Sequence, residues 1–181
     1  MDEDGPSTIA ATVETNDWWA ALDDPIGLCR RAIAATLAHA TPRAWHAAEV
    51  SLLLGDDAAI RRLNATWRGR DRPTNVLSFP AQDLTPGALS AEPPAGAFLG
   101  DLAIALETTR REAESEGKPL SDHLAHLVVH GTLHLLGHDH QTAAQAATME
   151  GLERQILADL GVGDPYADAE EPAGEALEAR S

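Results

Sequence analysis

The chain has 181 residues, 44% of them hydrophobic, which suits one core, and no apolar run approaches the roughly 18 to 20 residues of a membrane span. Cys29 is the only cysteine, which excludes an intrachain disulfide and a thiolate zinc finger. The net charge of −16 argues against a broadly basic nucleic-acid surface, but the acids crowd the ends: residues 1–24 contribute −7 and residues 164–181 contribute −5, leaving −4 for residues 25–163. The first 24 residues hold no Lys or Arg, the opposite of a secretory leader, so a cytoplasmic protein is expected.

Thr8 to Val13 has strand composition, and Asp24 followed by Pro25 reads as an N-cap with proline at the first helical position. Ile26, Cys29, Ile33 and Leu37 then recur at helical spacing up to about His39. Glu49 to Leu54 reads as a mostly buried strand. Gly55 and Asp56 turn it into a second helix, with Ile60, Leu63 and Trp67 on one face and a stop at Gly69. That spacing assigns Trp67 to the core rather than to a base-stacking role.

Val76 to Phe79 is a short strand. Residues 81–98, broken by Pro86, Gly87, Pro93, Pro94 and Gly96, form a long loop of the functional or mobile kind. Leu99 to Leu106 is a further strand, Glu107 to Glu116 a polar helix stopped by Gly117, Pro119 to Leu136 a strongly apolar helix, and Thr142 to Leu160 the last helix. The chain therefore reads as an acidic segment over 1–24 that includes the first strand, a catalytic domain over 25–163, and an acidic disordered tail over 164–181.

Six of the eight histidines lie between residues 123 and 140. On a helix, residues four apart share a face, so two imidazoles can reach one zinc, and His126, His130 and His134 form such a row. Eight residues of helix span roughly 12 Å, too far for His126 and His134 to meet on one ion. The third ligand must come from chain that turns back, and Gly137 supplies the turn, after which His138 and His140 follow. The spacing H-x3-H-x5-H with the intervening glycine matches the metzincin zinc site and selects His130, His134 and His140. The protease general base after the first histidine is missing, since Gly131 stands there. Asp139 is then either a base or a residue that orients a ligand histidine.

The segment HGTLHLLGHDH, His130 to His140, resembles the signature of the YbeY family of bacterial endoribonucleases. LNATWRGRDRPTNVLSFP, Leu63 to Pro80, and LGDLAI, Leu99 to Ile104, are similar to that family's other blocks. The resemblance implies one α+β domain, a small mixed sheet on about five helices, with a zinc site at the end of a buried helix. It also implies a single-strand-specific, zinc-dependent endoribonuclease acting in rRNA maturation, in 16S 3′ end processing and in ribosome quality control. RNA, and the ribosomal small subunit or its assembly factors, would be the partners. Matched by position, Zn2+ is held by His130, His134 and His140, Arg68 is the catalytic arginine, and Arg70 is a substrate contact. Asn75 stands where the family more often has Asp, and His138 where an aromatic residue is often found. The rival readings are a zinc peptidase or small-molecule hydrolase, opposed by Gly131, and a non-catalytic RNA or ribosome-binding protein with a closed structural zinc.

Overall fold

Four strands form one mixed sheet in the order β1-β2-β4-β3 in the computed structural model, which describes residues 9–94 and 96–167. β1 (Ile9–Val13) runs parallel to β2 (Glu49–Gly55), β2 parallel to β4 (Phe98–Ala105), and β3 (Val76–Pro80) antiparallel to β4 at the edge. Six α-helices accompany the sheet among the described residues: α1 (Asp17–Ala21), α2 (Pro25–Ala40), α3 (Asp57–Arg68), α4 (Leu106–Glu116), α5 (Leu120–Leu135) and α6 (Ala143–Asp159). The α+β class holds, with one helix more than the expected five. α1 is a five-residue helix too short to show periodicity, yet its Trp18 is fully buried and donates Nε1–H to the Gly55 carbonyl at 3.0 Å.

Asp24 caps α2 by accepting from the Gly27 amide at 2.9 Å, with Pro25 at the first helical position. Cys29, Ile33 and Leu37 form its buried stripe, and burial pushes the Cys29 thiol up to about 12, so it is inert at neutral pH. Pleating divides the sheet residues between two cores. Val50, Leu52, Leu54, Leu102 and Ile104 face α2, α5 and α6 in the larger one. Leu77, Ala103 and Ala105 face Ile60 of α3 in the smaller, with Leu53, Leu63 and Phe79 at its margin.

α5 is the central helix, touching α2, α4, α6, β3 and β4, and it is buried on nearly every side, as its apolar sequence requires. Gly131 lies tightly against the sheet. A Cβ there would lie 2.8 Å from Leu102 Cδ2 and 3.2 Å from Ser78 Oγ.

One expectation is corrected. Trp67 is 69% exposed: the buried residues of α3 are Ala59, Ile60 and Asn64, and its last turn leaves the indole in solvent. Beyond α6, Asp164 pairs with Arg154 at 3.2 Å, and the Tyr166 hydroxyl reaches Glu153. Thr8 and the tail residues 168–181 lie outside the described residues. The loop over 81–97 is partly anchored, with Leu84 and Leu89 packed on the core and the Ser90 carbonyl accepting from Trp45 Nε1 at 2.8 Å. No helix among the described residues is long and apolar enough to cross a membrane.

The packing at Gly131 makes a paired prediction. Gly131→Val should destabilise the protein by about 1–3 kcal/mol through overpacking. Gly151→Ala in α6, where a new Cβ meets nothing within 4 Å, should stabilise it by roughly 0.5–1 kcal/mol. Denaturant unfolding of the two variants beside wild type reads both signs.

Candidate metal centre

His126, His130 and His134 fall on one face of α5 because each is four residues from the next. The helix then ends. Gly137 has φ 94°, its amide donates to the His134 carbonyl at 3.0 Å, and the His138 amide donates to the Leu133 carbonyl at 3.0 Å. Leu84 of the long loop braces this turn, its carbonyl oxygen 2.0 Å from where a Cβ on residue 137 would stand. The reversal brings His140 back over the helix end, with ring centroids 5.6 Å from His130 and 5.1 Å from His134.

One nitrogen from each of His130, His134 and His140 lies within 4.8 Å of the others, and the Nε2 atoms of His130 and His134 are 3.1 Å apart. Donors around a tetrahedral zinc, at roughly 2.0–2.1 Å from the ion, stand roughly 3.3–3.4 Å apart, so the three rings fit such an ion with little adjustment. His140 is exposed, which leaves the centre open to solvent on one side.

Ring protonation also suits a cation. Burial, with the neighbouring His130 and His140 rings, lowers the His134 pKa from 6.5 to about 4, against smaller opposing effects of a backbone hydrogen bond at His138 and the Asp139 charge. His134 is therefore neutral at pH 7 with a lone pair to give.

His130 is fixed from behind. Its Nδ1 lies 2.7 Å from Glu153 Oε1, and since an ionised carboxylate only accepts, Nδ1 carries the proton and Nε2 turns its lone pair toward His134. The other Glu153 oxygen sits 2.9 Å from His126 Nε2 and accepts from the Tyr166 hydroxyl. Burial alone would raise the Glu153 pKa, but hydrogen bonds from His126 and His130, and the charge on those rings, outweigh it and hold the carboxyl well below the usual carboxylate range. His126, His130 and Glu153 also cluster closely enough to hold an ion. Both Glu153 oxygens are already engaged by histidine ring nitrogens, so this group reads as the support of the first centre.

Asp139 Oδ1 accepts from the His140 backbone amide at 2.8 Å and stiffens the turn that carries His140. Arg68 lies at the end of α3, where a guanidinium N–H donates to the Ser78 carbonyl at 2.6 Å and the group stacks over Phe79, 5.4 Å from the ring centroid. Ser78 Oγ donates in turn to the Gly131 carbonyl at 3.3 Å, tying Arg68 to α5 one residue beyond His130. Arg70 is exposed on the turn after Gly69. Asn75 donates Nδ2 to both Glu112 oxygens at 3.1 Å, a contact that an Asp would make repulsive.

Residues 22–161 match the family described as Endoribonuclease YbeY. An endoribonuclease YbeY from Rhodopseudomonas palustris (strain BisA53) is 55% identical over 152 residues, 84% of this chain and 86% of the relative. Another from Nitrobacter winogradskyi is 53% identical over 154 residues, 85% of this chain and 80% of the relative. Among solved structures, the solution structure of TM1509 from Thermotoga maritima superposes with a TM-score of 0.50 at 18% identity, covering 93% of this chain and 99% of that one, a likeness of fold.

Two predictions follow from the ring environments. Glu153→Gln should weaken metal binding about 10- to 100-fold by loosening the His130 tautomer, measured by competition with a chromogenic chelator. In the metal-free protein, His134 takes up its proton near 6.5 when unfolded but only near about 4 when folded. Its contribution to stability is therefore complete above pH 6.5 and is lost as pH falls toward 4. Melting curves between those values should slope downward toward acid, and more shallowly in His134→Ala.

Proposed function

This chain belongs to the YbeY endoribonuclease family, and on that premise we propose that it is a zinc-dependent endoribonuclease cutting single-stranded RNA in rRNA maturation, 16S 3′ end processing and ribosome quality control. The observation that carries the reading is the three-histidine centre, open on one side and bridged through Ser78 to an arginine. Its cofactor is one Zn2+ on His130, His134 and His140. Imidazole donors favour zinc over magnesium, and three protein ligands suit a catalytic site rather than a closed structural one. The catalytic unit is residues 25–163 of a cytoplasmic protein, and the partners are rRNA precursor and the small ribosomal subunit or its assembly factors.

Zinc held there would supply Lewis-acid stabilisation of charge at the scissile phosphate. Arg68 supplies the protein's share. Its guanidinium already rests on Phe79 and the Ser78 carbonyl, so its remaining N–H groups are aimed before a phosphate arrives. Arg70, on the next turn, meets a neighbouring phosphate. Glu153 keeps the His130 proton on Nδ1, and Asp139 holds the turn that presents His140.

The peptidase reading loses its base for a steric reason, since residue 131 faces the sheet with no room for a carboxylate. The nuclease reading is checked by incubating single-stranded RNA with purified wild type, His134→Ala and Arg68→Ala, with metal assayed on each. His134→Ala should lose both metal and cleavage. Arg68→Ala should keep metal and lose about 10- to 1,000-fold in rate. Wild type that holds zinc and leaves RNA intact would refute the reading.

A further inference from the structure

Five of the thirteen Lys and Arg residues of this acidic chain fall between Arg61 and Arg72, and Trp67 stands among them with 69% of its surface exposed. A large indole left in water has no packing reason to be there. We propose that Trp67 is a stacking platform for one base of the RNA strand whose phosphates Arg68, Arg70 and Arg72 bind. The proposal rests on the nuclease reading and adds to it the contact that receives a base.

The platform is rigid. Asn64, buried in α3, accepts from the Arg70 amide through its backbone carbonyl at 3.2 Å and donates its side-chain Nδ2 to the Arg72 carbonyl at 2.8 Å. The arginine turn is thereby pinned to the helix that carries Trp67. Arg61 is neutralised by a two-pronged pair with Asp71 at 2.7 and 3.1 Å, whereas among the described residues no carboxylate pairs with Arg68, Arg70 or Arg72. An exposed indole on the same helix-and-turn segment as guanidinium groups not neutralised by acids is the chemistry that binds single-stranded nucleic acid: the ring accepts any base face while the cations follow the backbone. Trp67 also adjoins Arg68, which connects through Ser78 to the carbonyl of Gly131, the residue after His130.

Trp19 provides the contrast within the same molecule. It is 45% exposed, but its neighbours in sequence include Asp17, Asp23 and Asp24, a setting that repels phosphate.

The test is binding of a fluorescent single-stranded 2′-O-methyl oligoribonucleotide to the full, metal-loaded chain, read by anisotropy across a salt series, with RNA cleavage and melting temperature measured on each variant. Trp67→Leu should weaken binding about 5- to 100-fold with the salt slope unchanged, Trp67→Phe should retain most of the affinity, and Trp19→Leu should match wild type. Arg70→Ala and Arg72→Ala should instead lower the salt slope by about one each. Unchanged affinity in Trp67→Leu, with cleavage intact in wild type, would overturn the stacking role and leave the nuclease, pointing to a protein partner for this surface. Wild type that neither binds the probe nor cleaves RNA would overturn both readings.

Discussion

The buried carboxylate of Glu153 holds the functional half of this molecule together. An anion removed from water is tolerated only when its lone pairs are occupied, and here both oxygens are engaged by imidazoles on α5, with the Tyr166 hydroxyl joining them. One side chain on α6 thus registers two helices against each other, recruits the chain beyond α6, and decides which nitrogen of His130 faces outward. Packing and chemistry meet in the same group: what makes the anion bearable in the core is what leaves the His130 Nε2 lone pair free.

The opposite side of α5 is governed by close approach. The helix lies so near β4 and β3 that residue 131 has room only for hydrogen at its α carbon. No carboxylate fits at that position, and Arg68 is tied to α5 by way of the edge strand. That strand, β3, is the mechanical link, since it carries both the carbonyl that seats Arg68 and the hydroxyl that touches α5.

Much of this was legible in the residues. Fourfold spacing placed His130 beside His134, Gly137 announced the reversal that returns His140, and Asp24 and Asp56 marked two helix starts by the amides they cap. Glu153 escaped notice although a signal existed: it shares a stripe with Met149 and Ile156, and an acid on the inward face of an amphipathic helix demands a buried partner. Trp67 misled in the other direction. Its spacing from Ile60 and Leu63 fits a core stripe, but periodicity cannot report whether the rest of the fold covers the helix's last turn. The contact through Ser78 and the bracing of the Gly137 turn by Leu84 join residues far apart in sequence, which no local pattern encodes.

The three candidate ligands lie within eleven consecutive residues, whereas the sheet must bring β1 beside β2 and β2 beside β4 across long stretches of chain. Closing so short a loop costs little chain entropy, while the parallel pairings are slow to assemble. An ion that bound these histidines would therefore need only this short stretch ordered, and not the long-range strand pairings, to meet its three donors. By the same locality an unfolded chain would keep part of its affinity for such an ion, and the ion would add less to stability than one held by ligands from distant segments.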